Sequence, residues 1–145
     1  MAMVEKSVLV GHPASELFRL VDDVARYPEF LPWCGGAETL PLEDGSVRAT
    51  LHIRYHGIRQ SFTTENRRQP PDSIEIRLVS GPFRHLDGHW RFIPLGDAGC
   101  KVVFRLHYEF SSRLLEKLVG PVFHHIANTF VDAFVKRASQ PASRT

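Results

Sequence analysis

From Ala37 to Phe110 apolar and polar side chains alternate with a period of two, segment after segment, and this pattern constrains the fold more than any other feature of the chain. Around residue 50, Val47, Ala49, Leu51, Ile53 and Tyr55 fall on one side of a strand, while Arg48, Thr50, His52, Arg54 and His56 fall on the other. The same division separates Ile58, Gln60, Phe62 and Thr64 from Arg59, Ser61, Thr63 and Glu65. It recurs in Ile74, Ile76 and Leu78 against Glu75 and Arg77, in Trp90 and Phe92 against His89 and Arg91, and in Val102, Phe104, Leu106 and Tyr108 against Lys101, Val103, Arg105 and His107. Asp44-Gly45, His56-Gly57, Pro70-Pro71-Asp72 and Gly96-Asp97-Ala98-Gly99 supply the turns. An antiparallel meander with one dry and one wet face is predicted, and the dry face needs a cover.

The last segment can provide it. Ser111-Ser112 offer helix caps, Glu116 suits the first turn, and Leu115, Val119, Val122, Phe123, Ile126, Phe130 and Phe134 recur at helical spacing as far as about Ala138. Gly120-Pro121 interrupts the stripe and predicts a kink, or a short helix followed by a long one. At the other end a strand over Val4–Val10 leads to a helix with Pro13 in its first turn and Leu17, Phe18, Leu20, Val21 and Val24 on its apolar side, ended by Tyr27-Pro28. The predicted fold is α+β, of helix-grip type: a curved antiparallel sheet wrapped around a long C-terminal helix, one domain over residues 1–139 with a flexible polar tail at 140–145.

Composition narrows the function classes. With 43% hydrophobic residues in 145, one core is expected, and 18 basic against 16 acidic side chains are too balanced to announce nucleic-acid binding, so any basic patch must come from placement. Cys34 and Cys100 stand in no CxxC spacing and read as free thiols. Neither a signal peptide nor an apolar run of membrane-spanning length is visible, which predicts a cytoplasmic protein whose membrane contact, if any, is peripheral at the inner membrane.

A bent sheet closed by one helix leaves room for an apolar cavity. Its expected entrance is Tyr27, Phe30, Leu31, Trp33 and Phe83, gathered from three connections: Tyr27–Trp33, Gly81–Leu86 and Val119–Phe123. The expected wall is Leu51, Ile53, Tyr55, Phe62, Leu78, Trp90, Phe92, Phe104, Val122, Phe123, Ile126 and Phe130, with Gln60, Thr64, Tyr55 and Tyr108 as inward polar groups. Catalytic machinery is not expected, because His52, His56, His89 and His107 fall on the wet face and no inward acid-base pair is apparent. His124 and His125 lie about 100° apart on a helix, so no metal site is expected from them. On the wet face Arg48, Arg54, Arg59, Arg67, Arg77, Arg91, Lys101 and Arg105 stand against Glu65, Glu75, Asp87 and Glu109. Such a face reads either as solvated, cross-strand-paired charge or as a patch for the phosphates of ribosomal RNA or anionic lipid.

Three motif groups carry a family resemblance: Tyr27-Pro28-Glu29-Phe30-Leu31-Pro32-Trp33-Cys34; Gly81-Pro82-Phe83-Arg84-His85-Leu86 with Gly88, Trp90-Arg91-Phe92 and Pro94-Leu95-Gly96; and Ser112-Arg113-Leu114-Leu115 with Gly120-Pro121-Val122-Phe123. Over Val4 to Ala138 the chain resembles the coenzyme Q-binding, polyketide-cyclase-like START family. The resemblance implies a helix-grip fold, an isoprenoid lipid such as ubiquinone in the cavity, no covalent cofactor, no metal and no catalytic set. Its bacterial members are of two kinds, ubiquinone binders that support respiratory electron transfer and ribosome-association toxins that bind the large ribosomal subunit and block subunit joining. The motifs belong to both kinds, with the ubiquinone reading taken first. On that reading, a charge introduced at Phe123 is expected to empty the cavity without unfolding the domain.

Overall fold

A computed structural model describes residues 2–140. Seven strands form one antiparallel sheet: β1 (Ala2–Val10), β2 (Cys34–Pro41), β3 (Val47–Tyr55), β4 (Ile58–Gln69), β5 (Ser73–Ser80), β6 (Phe83–Leu95) and β7 (Gly99–Phe110), in the order β1-β7-β6-β5-β4-β3-β2. Strands β2 to β7 are sequential neighbours, as a meander requires, and β1 closes the far edge by pairing with β7 from Ala2↔Tyr108 to Val10↔Cys100. The tail beyond Gln140 lies outside the described residues.

The inward rows of β1 and β3 to β7 are buried or half-buried, and the long helix α2 (Arg113–Ala138) packs its apolar side against them. Ser112 is the N-cap, its Oγ accepting the Leu115 amide at 3.1 Å. Gly120-Pro121 does not divide α2, which runs unbroken through both residues. Pro121 sits on the exposed side, where the carbonyl it leaves without a donor can turn to water.

The N-terminal helix departs from the sequence pattern. α1 (Ala14–Asp22) stops well before Tyr27-Pro28, with Pro13 as its N-cap, and a separate 3₁₀ helix occupies Val24–Glu29 with Pro28 inside it. The tighter winding brings Tyr27 inward, where its hydroxyl donates to the Val21 carbonyl and its ring meets Phe30, Phe130 and Phe134. α1 itself closes one end of the sheet, with Phe18 edge-on to Phe92 at 5.7 Å.

Two further departures come from bulges. One between Cys34 and Gly36 starts β2 inside the expected connection. Another between Phe83 and His85 shifts the alternation of β6, so that Phe83 and Leu86 both face inward with Trp90 and Phe92. Gly81–Leu86 is therefore mostly strand, and only the turn before Phe83 remains a connection.

Candidate functional sites: an apolar cavity and a basic outer face

Between sheet and α2 lies a cavity of about 70 Å³. Of the expected residues, Tyr27, Trp33, Leu51, Phe62, Trp90, Phe104, Phe123, Ile126 and Phe130 line it. Phe30, Leu31, Ile53, Tyr55, Leu78, Phe83, Phe92 and Val122 do not, for identifiable reasons. Phe92 is covered by α1, and Phe83 is locked among Phe62, Tyr108, Phe110 and Phe123. Phe30 packs on Phe134 under the Arg137 guanidinium, 5.0 Å above its ring, while Leu31 and Ile53 are core. Tyr55 turns toward α2, its ring parallel to that of His125. Leu78 and Val122 are half-buried at the edge of the core.

Of the five expected entrance residues four are closed off, and Phe30 is half-buried. Tyr27, Leu31, Trp33 and Phe83 are each at most 5% exposed, so they offer no greasy rim to a membrane. Phe123 is equally enclosed, touching the rings of Phe62, Phe83, Tyr108 and Phe110. A charge there would be desolvated among rings, so such a variant is expected to lose stability as well as to perturb the cavity.

Polar groups at the cavity are few. Thr64 donates to Asn66 Oδ1 at 2.8 Å, while Tyr27 spends its hydroxyl on Val21. Gln60, Tyr55 and Tyr108 do not reach it. Asn66 and Arg68 continue the inward row of β4 past Thr64, opposite Ile76 and Ile74, where an apolar alternation does not single them out. Arg68 donates to Asp22 Oδ2 at 2.8 Å, tying the end of α1 to β4, and its Nε is buried without a partner among the described residues. Burial raises the Tyr27 hydroxyl well above its ordinary value, with the carboxylates of Asp22 and Asp23 pushing the same way. Burial also raises the thiols of Cys34 and Cys100, both of which are free, and the Tyr108 hydroxyl. None of these groups is poised for acid-base work near neutrality. Among the described residues no group of three or more His, Cys, Asp or Glu is arranged to hold a metal.

All eight expected cations are exposed on the outer face. Register decides their surroundings. Across the middle of the sheet cations stand opposite carboxylates: Arg48, Glu65, Arg77 and Asp87 alternate along one row, and along the next Arg67 faces Glu75 and Arg105 faces Glu5, with His89 between the two pairs. Arg105 reaches Glu5 at 2.7 Å and Arg48 reaches Glu65 at 3.9 Å. His89 is held below its ordinary value by partial burial and by Arg91 and Arg105, which keeps it neutral at pH 7. At the β3–β4 end the pattern breaks, because Arg54 stands directly opposite Arg59 and neither forms an ion pair among the described residues. Glu109 pairs instead with Arg84 of β6 at 3.0 Å.

No described helix is long and apolar enough to cross a membrane. Among solved structures, the aromatase/cyclase Zhui from Streptomyces sp. R1128 superposes with a TM-score of 0.80 at 21% identity, covering 98% of this chain and 97% of that one, a likeness that concerns the fold. Among relatives, the ribosome association toxin RatA of Vibrio cholerae is 44% identical over 140 residues, 97% of each chain. A coenzyme Q-binding protein COQ10 homolog B from Xenopus laevis is 29% identical over 140 residues, 93% of this chain and 57% of that protein. The sheet gripping one long helix is matched by a family model over residues 10–135, and the chain belongs to the polyketide cyclase / dehydrase and lipid transport family.

Proposed function

We propose that the protein associates with the large ribosomal subunit and hinders subunit joining, as a toxin of the ribosome-association kind, and that it is not an enzyme. One observation carries the reading: identity of 44% along 97% of both chains with a protein named for ribosome association, against 29% with the coenzyme Q-binding homolog. The physical picture agrees. The groups facing the cavity are apolar apart from Thr64, Asn66 and Tyr27, a poor set for chemistry, whereas the outer face exposes Arg54 and Arg59 side by side with no ion pair among the described residues, as suits a polyanion. Expression of the protein in a sensitive bacterial host, followed by sucrose-gradient analysis, is expected to place it in the large-subunit fractions and to deplete assembled ribosomes. An unchanged profile, with the protein at the top of the gradient, would refute the reading.

A second reading is favoured by the cavity alone: a ubiquinone-like lipid held between sheet and helix. Its apolar lining suits such a ligand, but about 70 Å³ stands far below the roughly 300–1,000 Å³ of ligand pockets, so a quinone ring with an isoprenoid tail enters only if α2 or the rings beneath it move. Organic extraction of the purified protein tests it. A stoichiometric quinone would promote the lipid reading, and an extract without quinone, together with no uptake of added quinone, would reject it.

A further inference from the structure

Charge on the outer face is cancelled where a cation stands opposite a carboxylate; Arg91 and Lys101 stand opposite uncharged residues, and at one place among the described strand pairs two arginines face each other. Arg54 and Arg59 are cross-strand neighbours of like sign at the end of the β3–β4 hairpin, an arrangement that weakens a hairpin unless something anionic binds there. Arg54 is also held in position. Its amide donates to the Trp33 carbonyl at 2.8 Å, and its aliphatic stem lies across Gly35, where an added Cβ would come within 2.5 Å of Arg54 Cδ. A glycine there lets the arginine lie flat with its guanidinium presented outward.

The turn between the two arginines adds rings. His56 and Gly57 both have positive φ, of 50° and 80°, and that turn type favours Asn or Gly over a ring-bearing residue at its first position. The chain nevertheless places His56 there, edge-on to Tyr55 at 4.1 Å, while the Tyr55 ring lies parallel to that of His125 on α2 at 6.0 Å. His56 and His125 are exposed and Tyr55 is half-buried. The hairpin tip thus carries two guanidinium groups on its outer side and rings with polar edges at the turn and on the side facing α2, groups of the kinds that hold phosphates and an unstacked base in looped RNA. A lipid surface would call instead for apolar side chains at the tip.

We propose that the β3–β4 hairpin tip, with His125 beside it, is the surface that grips ribosomal RNA, with phosphates on Arg54 and Arg59 and an unstacked base against the rings of Tyr55, His56 and His125. The assignment rests on the ribosome-association reading and narrows it to one end of the outer face. It is tested by binding purified variants to purified large subunits across a salt series. Arg54→Glu places a carboxylate opposite Arg59, so the variant should fold at least as well as the parent while binding about tenfold or more weakly. Arg54→Gln with Arg59→Gln should lower the slope of log affinity against log salt by about one per arginine. His56→Asn, which suits the turn better, should weaken binding several-fold with no loss of stability. Arg105→Glu, and Arg91→Glu with Lys101→Glu, should bind like the parent. If the parent binds and the tip variants match it, or if the variants away from the tip lose as much, the assignment is overturned and ribosome association stands. If the parent itself does not bind, both fall.

Discussion

The two faces of the sheet are built from the same strands and obey different rules. On the inner face, position decides: a side chain that points inward is mostly buried or half-buried, and rings such as Trp90, Phe104, Phe130 and Phe134 pack tilted or edge to face until about 70 Å³ remains. On the outer face every side chain is wet, and pairing decides. A cation opposite a carboxylate, such as Arg105 beside Glu5, is cancelled, while Arg54 opposite Arg59 is not. Stability therefore belongs to the inner face, and the proposed recognition to the arginine pair on the outer one.

Substitutions can break or sharpen this contrast, and the largest effect is expected inside. Phe123→Ala removes a ring that touches four others and should cost about 3–5 kcal/mol in a denaturant titration. A cost below about 1 kcal/mol would mean that the aromatic cluster is loosely packed. Tyr27→Phe deletes a buried hydroxyl and leaves the Val21 carbonyl unpaired, for roughly 1–2 kcal/mol. The same tyrosine gives the inner face a pH signature. The folded state holds its proton above the ordinary value of 10.0, whereas the unfolded chain releases it there, so stability is expected to fall as pH rises through about 10. Tyr27→Phe should remove part of that fall in alkaline unfolding curves.

On the outer face the effects shrink and then change sign. Glu5→Ala breaks an ion pair whose partners are about half exposed and should cost well under 1 kcal/mol by thermal unfolding. Arg54→Glu replaces a repulsion with an attraction and should raise stability by a few tenths of a kcal/mol. A measured loss there instead would show that Arg54 is a structural residue, held for its packing on Gly35.

Much of this was legible from periodicity. The strands from β3 to β7, the His56-Gly57 turn and the Ser112 cap follow from spacing and local chemistry that tertiary contacts do not override. What periodicity could not supply was registration. The bulge before Leu86 turns Phe83 into the core, and nothing local in Arg84-His85 announces the extra residue. Phe92 was rightly inward, but whether an inward ring meets a cavity or a helix depends on where α1 lands. Counting charges left paired charge and a basic patch both open, because cancellation depends on which residues face each other across strands. Tyr27 looked like an entrance residue because proline-punctuated aromatic connections usually lie at the surface, whereas here a 3₁₀ turn folds it under α2.

The most direct test of the division of labour is hydroxyl-radical footprinting of the protein alone and bound to large ribosomal subunits. The expected result is protection concentrated on residues 52–60 and on α2 around His125, with Arg105 and Lys101 unchanged. Protection centred on the β6–β7 rows, with the hairpin tip still open to the radical, would contradict the account.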